Sequence, residues 1–238
     1  MKLDRRAIRG ALRSVPYFDK VVAKTLRPYF SGPHFQSSAQ YWEDRYRLQG
    51  DSGDGSYGRL AQFKADIINA FVREHRVASV IELGCGDGAQ LKLADYPRYV
   101  GVDVSEATIG KCRRAFANDA GKRFYHSSEL PPHIGRFGLG LSLDVVYHLI
   151  EDETFESYML QLFAFSECWV IIYSSNEDRG ASLPHVRHRK FSDWVAANIS
   201  GWVLDRKIAQ KYPFDPSAPH RTSFADFYIY RNAYAQPA

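Results

Sequence analysis

The sequence predicts an α/β protein with a doubly wound, mostly parallel seven-stranded sheet, and three features of the chain predict it. Short apolar, β-branched segments alternate with segments whose apolar residues recur at helical spacing. A glycine-rich turn over 84–88 leaves the first of these short segments. The last two short segments have no helical pattern between them, which favours an antiparallel pair that ends the sheet. Repeated strand–helix–strand units place helices on both faces of such a sheet.

Four helices and seven strands are predicted in the folded part of the chain. An amphipathic helix is predicted over 59–74, where apolar residues share one face. Ser105 is predicted to cap a helix that runs to about 118, a third helix begins at Thr154, and a fourth covers 191–199. The predicted strands are 78–83, 98–104, 123–126, 139–145, 168–173, 202–208 and 223–230.

The bulk properties predict a single domain with extensions. The chain has 238 residues, 45% of them hydrophobic, which is enough to bury one sizeable core. No apolar run approaches the roughly 20 residues that span a bilayer, and the N-terminus lacks the apolar stretch of a secretory signal. We therefore expect a soluble, cytoplasmic monomer or homodimer. Cys85, Cys112 and Cys168 form no Cys-x-x-Cys pair, so neither a metal site nor a disulfide framework is predicted.

Positive charge is concentrated at the front of the chain. Residues 1–30 carry eight Lys or Arg against two Asp, a net charge of +6, whereas the whole chain carries +4, so the remaining residues sum to −2. Clustered cations gain from anionic lipid or phosphate. This basic, helical arm therefore predicts contact with an acidic substrate or a membrane surface, or else a solvated helix that packs on its own domain or a twin subunit.

The segment over 28–58 is rich in glycine, serine and aromatic residues. It contains Tyr41, Trp42 and Tyr46, followed by a glycine-rich stretch over 51–58. Glycines at that density indicate a loop with unusual backbone angles or close approach to a ligand. We therefore divide the chain into an N-terminal extension with this loop, 1–58, and a folded domain, 59–238.

The strongest chemical signal is the turn that leaves the first strand. Gly84, Gly86 and Gly88 let the backbone come close to a ligand where a Cβ would clash. Glu82 stands two positions before the first glycine, where its charge needs a partner. Asp103 ends the next strand about 20 residues on, where a carboxylate can accept hydrogen bonds from the two ribose hydroxyls of a nucleotide.

At these residues the chain resembles the class I, Rossmann-like methyltransferases, whose first motif reads acidic-x-Gly-x-Gly-x-Gly. The segment 141–152 resembles the fourth motif of that family. The resemblance implies S-adenosyl-L-methionine as cofactor, with Glu82 near its methionine end. Ser127 and Ser128 stand where the family usually has an acidic residue for the adenine amine. The resemblance implies these cofactor-binding residues: Glu82, Gly84, Cys85, Gly86, Gly88, Asp103, Val104, Ser127, Ser128, Leu143 and Asp144.

The aromatic and glycine-rich loop resembles the N-terminal segment that several small-molecule methyltransferases fold over the cofactor. Aromatic faces attract a sulfonium, and a guanidinium can pair with the cofactor's carboxylate. Trp42 and Tyr57 are the aromatic candidates, and Arg45 and Arg59 are the candidates for the carboxylate. The alternative is a structural loop that the aromatic residues support.

Methyl transfer from a sulfonium is an in-line displacement, so a hydroxyl acceptor needs a group that removes its proton. His148 follows the fourth strand, has a suitable pKa range and is the first candidate for this base. Asp144 is predicted to orient His148 or contact the cofactor, and Tyr147 to pack on the substrate. A second cluster is predicted to bind an anionic substrate such as a phosphate, nucleotide sugar or carboxylate; it comprises His185, Arg187, His188 and Arg189.

Three functions are compatible with these patterns. The first is O-methylation of a small molecule or sugar unit, in a surface glycan or a secondary metabolite. The second is methylation of nucleic acid or protein, which the basic arm would dock; the segment 144–147 lacks the paired prolines typical of base-amine methylation, so nucleic acid is disfavoured. The third is an NAD-dependent oxidoreductase or a silent binding module, because Gly84, Gly86 and Ala89 also satisfy the looser dinucleotide pattern.

Overall fold

The structure is a computed structural model that describes residues 35–179 and 183–235. These residues lie in one compact unit, Phe35–Ala238, so residues 35–58 belong to the same unit as the sheet. The basic arm over 1–30 lies outside the described residues, and its predicted contacts with lipid, phosphate or a twin subunit stay predictions. Within the described residues, no helix is long and apolar enough to cross a membrane.

The predicted seven-stranded sheet is confirmed. The strand order is β3-β2-β1-β4-β5-β7-β6; β1 to β5 run parallel, and β7 runs antiparallel to both of its neighbours. The strands are β1 (Val80–Leu83), β2 (Tyr99–Asp103), β3 (Lys122–His126), β4 (Phe137–Leu143), β5 (Ser166–Ser174), β6 (Trp202–Ile208) and β7 (Asp226–Asn232). The predicted antiparallel pair at one side of the sheet is therefore also confirmed.

Helices cover both faces of the sheet, as expected for strands that are buried on both sides. Adjacent residues of β5 show this, since Ile171 belongs to the apolar cluster on one face and Ile172 to the cluster on the other. The first cluster includes residues of α2 and α3, and the second includes residues of α4 and α5. The helices are α1 (Ser38–Arg47), α2 (Gly58–Glu74), α3 (Glu106–Ala115), α4 (Asp152–Ala164) and α5 (Phe191–Asn198).

The prediction of a loop over the whole of 28–58 is wrong for Ser38–Arg47, which forms α1. This stretch contains neither glycine nor proline, and the side chain of Ser37 accepts a hydrogen bond from the Gln40 amide at the first turn. Tyr41 and Tyr46 are buried. The glycine-rich stretch that predicted a loop begins after this helix, and the segment over 50–57, called the cap loop below, contains no α-helix.

The strand order places a switch point beside β1. From β1 the chain continues to β2 and β3 on one side and returns to β4 on the other. The crevice outside the carboxyl ends of β1 and β4 is where open α/β sheets bind ligands. The glycine turn, Asp103 and the segment after β4 all reach this edge of the sheet.

Candidate active site

A cavity of about 160 Å³ lies at the carboxyl ends of β1, β2 and β4. The glycine turn forms one wall, and side chains of α1, including Trp42, form another. Residues of α2 and α4 complete the lining. The cavity is therefore at the switch point, where the sheet topology predicts a ligand.

The glycine turn adopts backbone angles that other residues rarely use. The φ angles of Gly84, Gly86 and Gly88 are 81°, 56° and 74°, in the left-handed region. A Cβ on Gly84 would collide with the side chain of Val145, and a Cβ on Gly86 would lie 2.5 Å from the Ser52 hydroxyl. At Gly84 and Gly86 a Cβ is therefore excluded by neighbouring protein side chains. The predicted approach of this backbone to a ligand stays a prediction.

Asp103 ties the end of β2 to the glycine turn. Its Oδ2 accepts a hydrogen bond of 2.9 Å from the Gly86 amide, and its Oδ1 accepts one of 3.0 Å from the Ser105 amide. Each carboxylate oxygen retains capacity for a further donor. Burial raises the pKa of Asp103 to about 6, against the opposing effect of these backbone hydrogen bonds.

Glu82 is 4% exposed and sits under the turn. Its Oε2 accepts a hydrogen bond of 2.5 Å from the Tyr99 hydroxyl, rather than bonds from the loop amides. Burial raises the pKa of Glu82 to about 7, and the Tyr99 hydrogen bond and the charge of Lys64 only partly oppose that rise. A cationic ligand group placed beside Glu82 would favour its ionised form.

Replacing Glu82 by glutamine is expected to make the stability of the protein less dependent on pH. Because the folded state raises the pKa of this carboxyl from 4.5 to about 7, its contribution is fully present below pH 4.5 and is lost as the pH rises through about 7. The free energy of unfolding of E82Q minus that of the wild type should therefore rise by about 3 kcal/mol from acid to mildly alkaline pH. Denaturant titrations across that range measure the difference, and a constant difference would contradict the prediction.

The segment after β4 is held by a buried ion pair that involves a lysine of α2. The Lys64 ammonium is 2.5 Å from Asp144 Oδ2, and the Tyr147 hydroxyl donates a 2.9 Å hydrogen bond to Asp144 Oδ1. Asp144 has a positive φ of 60°, a strained angle for a residue with a side chain. The prediction that Asp144 orients His148 is wrong, because its two oxygens face Lys64 and Tyr147 instead.

His148 lines the cavity and is oriented by a backbone carbonyl. Its Nδ1 is 2.8 Å from the carbonyl oxygen of His185, so Nδ1 carries the proton and Nε2 is left as an acceptor. The expectation that its pKa lies near neutrality is wrong, because burial lowers the pKa of His148 to about 4, and the imidazole is neutral at pH 7. The Trp42 ring meets it edge to face at 4.8 Å, and the His185 ring stacks on Tyr41 at 4.3 Å. These contacts fix one face of the cavity.

The cap loop is fastened to the glycine turn. The Ser52 hydroxyl accepts a 3.0 Å hydrogen bond from the Asp87 amide and lies 2.9 Å from the Tyr46 hydroxyl. The Tyr57 hydroxyl donates to Asp87 Oδ2 at 2.7 Å. The cap loop thus covers the turn through side-chain contacts that the sequence alone did not predict.

The two arginines predicted for the cofactor's carboxylate lie elsewhere. Arg45 donates from Nε to the Asp51 carbonyl at 2.7 Å and forms an ion pair of 3.1 Å with the Asp51 carboxylate. Arg59 donates to the Arg221 carbonyl at 2.6 Å and lies over the Tyr212 ring. Neither guanidinium lines the cavity, so both predictions are wrong.

The predicted cationic cluster after β5 is used for internal contacts. Arg189 is 9% exposed, and it donates to the carbonyls of Leu149 and Ile150 and pairs with Asp152. Arg187 also donates to the Ile150 carbonyl and pairs with Asp152. The His188 ring is hydrogen-bonded to Ser175 at 2.7 Å, and the His185 ring stacks on Tyr41. These four side chains therefore do not form an open anion site, since each has a partner within the protein.

Three solved structures share the fold of this chain at 20% sequence identity or less. The N-methyltransferase NodS from Bradyrhizobium japonicum WM9, solved with S-adenosyl-l-homocysteine, matches with a TM-score of 0.62 at 14% identity, over 83% of this chain and 99% of its own. The methyltransferase domain of bacterial CtHen1 matches with a TM-score of 0.57 at 20% identity, over 73% and 98% of the two chains. No family model and no curated protein matches the sequence.

A third structure covers more of the chain. Magnesium protoporphyrin IX methyltransferase from Synechocystis PCC 6803, solved with bound S-adenosylhomocysteine, matches with a TM-score of 0.54 at 16% identity, over 96% of this chain and 100% of its own. The chain has the class I methyltransferase fold. Similarity at this level of sequence identity establishes the fold, so the predicted Rossmann-like fold class is confirmed.

On this methyltransferase fold, most of the predicted cofactor residues reach the cavity. Gly88, Ser128, Tyr57 and Arg59 are predicted residues that do not line it. Gly88 packs on α3 near Cys112 and Phe116, and Ser128 is hydrogen-bonded to His126. The predicted residues that line it are Trp42, Glu82, Gly84, Cys85, Gly86, Asp103, Val104, Ser127, Leu143 and Asp144.

The methyltransferase fold also brings to the cavity a residue that the sequence analysis missed. Lys64 lies within the apolar face of α2, four residues from both Leu60 and Ile68, and it is 1% exposed. A lysine inside an apolar helical stripe is the signal that would have found it, because a buried ammonium needs a charged partner.

Proposed function

We propose that this protein is a methyltransferase that uses S-adenosyl-L-methionine, held at the glycine turn after β1. The observation that carries the proposal is the position of two buried carboxylates, Glu82 and Asp103, on either side of a turn with three left-handed glycines, on this fold. A ribose diol and a methionyl ammonium are donors that such carboxylates accept. When bound, the cofactor supplies a methyl group on a sulfonium.

The residues around the turn fit this cofactor. Gly84 and Gly86 line the cavity with backbone in the left-handed region, which a residue with a Cβ rarely adopts. Val104 and Ser127 line the cavity beside Asp103, which suits a purine next to its ribose. Trp42 supplies an aromatic face for a sulfonium. All of these groups belong to the one cavity at the switch point.

We further propose that the acceptor is a hydroxyl group of a small molecule or a sugar unit, with His148 as the base. The Nδ1 proton of His148 is committed to the His185 carbonyl, so Nε2 accepts a proton from a group in the cavity. A hydroxyl needs such an acceptor at the moment of transfer. The neutral imidazole is ready at pH 7, although burial makes it a weaker base than an exposed histidine.

The acceptors named for the similar structures are varied, including a porphyrin and a small RNA, so they do not indicate one acceptor class. Trp42, His148 and Leu149 also line the cavity. Aromatic and aliphatic side chains of this kind suit the apolar body of a small molecule or the apolar face of a sugar ring.

The direct test is transfer of a labelled methyl group from the cofactor to panels of hydroxylated small molecules, sugars, amines, RNA and protein. The proposal predicts an alkali-stable methyl ether on a hydroxylated small molecule or sugar. Label found only in RNA or protein would contradict the proposed acceptor while retaining the activity. Label in no class would contradict the proposed activity.

A further inference from the structure

Lys64 is a buried cation in the wall of the cavity, and Asp144 accepts only one of its three ammonium protons. Its ammonium has three protons, and Asp144 Oδ2 accepts one of them at 2.5 Å. The centre of the Tyr173 ring lies 5.2 Å from the nitrogen. Among the residues that the structure describes, no other oxygen or nitrogen accepts a hydrogen bond from it. Because Lys64 is 1% exposed and lines the cavity, its remaining protons are available to a ligand there.

The other cations near the cavity are already occupied. Arg45 is paired with Asp51, and Arg59 is hydrogen-bonded to the Arg221 carbonyl. Within the described part of the chain, Lys64 is the one lysine or arginine whose side chain lines the cavity. Among the described side chains, the Lys64 ammonium is therefore the formal positive charge that can contact an anionic group bound in this cavity.

The Lys64 ammonium lies near two carboxyl groups. Asp144 lies on one side of the ammonium, and Glu82 lies close enough for the lysine charge to favour its ionised form. A ligand that carries a carboxylate and an ammonium on the same carbon atom matches this arrangement, since the ammonium faces a carboxylate and the carboxylate faces Lys64. A ligand with only one of these charges leaves one side of the arrangement unmatched.

We infer that Lys64 binds the carboxylate of the methionyl end of the cofactor, beside the Asp144 carboxylate. The inference rests on the proposed function. It adds a residue that recognises the carboxylate of an amino-acid end, which other nucleoside substituents lack. Lys64 takes the role that the sequence analysis gave to Arg45 and Arg59. Lys64 reaches the cavity from α2, whereas Arg45 contacts the cap loop and Arg59 contacts the C-terminal segment.

The test compares two ligands that differ in one group. S-adenosylhomocysteine carries the carboxylate, and S-adenosyl-3-thiopropylamine lacks only that group. Calorimetry on the wild-type protein is expected to give an affinity for S-adenosylhomocysteine that is about 10- to 100-fold higher, because one charge-assisted hydrogen bond is lost with the carboxylate. Equal affinities would show that the carboxylate makes no such contact and would overturn the inference.

Lys64→Met then assigns the contact to this residue. The variant is expected to lose about 10- to 100-fold in affinity for S-adenosylhomocysteine and less than about 3-fold for the amine. Because an unpaired Asp144 destabilises the fold, the double variant Lys64→Met/Asp144→Asn, which removes both charges, is measured beside it. Lys92→Met removes an exposed lysine that does not line the cavity and should change neither affinity.

The outcomes separate the inference from the proposed function. A loss restricted to the ligand with the carboxylate supports the role of Lys64. Equal losses for both ligands, or none, in the folded variants overturn it, because Lys64 then only shapes the cavity or is irrelevant to the ligand. If the wild-type protein binds neither ligand, the proposed function fails and the inference fails with it.

Discussion

Replacing Gly84 by alanine is expected to lower the affinity for S-adenosylhomocysteine by about 100-fold or more. Gly84 has a φ of 81°, and a Cβ there would collide with the Val145 side chain, which is β-branched and stiff. The turn must therefore move, and the Gly86 amide, which donates a hydrogen bond to Asp103, moves with it. The displaced turn no longer presents its backbone to the cavity. Calorimetric titration of the variant measures the loss.

Gly135→Ala is the matched control for this prediction. Gly135 has a φ of 85°, but a Cβ there would meet nothing within 4 Å, and the residue does not line the cavity. It therefore introduces similar backbone strain without the collision or the site. We expect a stability loss on the order of 1 kcal/mol with unchanged affinity. Equal affinity for Gly84→Ala and the wild type would rule out the glycine turn as the cofactor site.

Replacing His148 by alanine is expected to reduce turnover on the hydroxylated acceptor by about 10²- to 10⁴-fold. The substitution removes the Nε2 acceptor that takes the hydroxyl proton. The affinity for S-adenosylhomocysteine should change by less than about 3-fold, because none of the proposed cofactor contacts is made by His148. Steady-state rates with labelled cofactor, read beside calorimetry, measure the two effects separately.

His185→Ala provides the comparison for His148. It removes the ring that stacks on Tyr41, but it retains the backbone carbonyl that holds the His148 Nδ1 proton. We therefore expect a much smaller loss of turnover than for His148→Ala. If both variants lost activity equally, packing of this wall rather than proton transfer would account for the effect. If His148→Ala kept full turnover, His148 would not be the base.

Patterns that depend on neighbouring residues were enough to predict the sheet and the turn at its switch point. The apolar stretch before Gly84 is a strand, and the predicted strand over 202–208 coincides with β6. Ser105 caps α3, accepting a hydrogen bond from the Thr108 amide. The first strand follows from its burial on both faces, and the start of α3 follows from local backbone preference. The order of residues displays both directly.

The contacts that complete the site could not be predicted in the same way, because they join distant parts of the chain. Lys64 and Asp144 are 80 residues apart in sequence, and Arg189 reaches the Leu149 carbonyl 40 residues away. Nothing near Arg189 in the sequence signals that its guanidinium will be used internally. The helix α1 was missed for a different reason, since the glycines beyond it dominated the composition of the whole segment.

Calorimetric titration of the wild-type protein with S-adenosylhomocysteine and, separately, with NAD tests the central claim most directly. The two ligands share an adenosine that Asp103 and the glycine turn can hold, and only the first has a methionine-derived end to meet Glu82 and Lys64. The account predicts one-to-one binding of S-adenosylhomocysteine and no measurable binding of NAD. Tight binding of NAD, with no binding of S-adenosylhomocysteine, would contradict it.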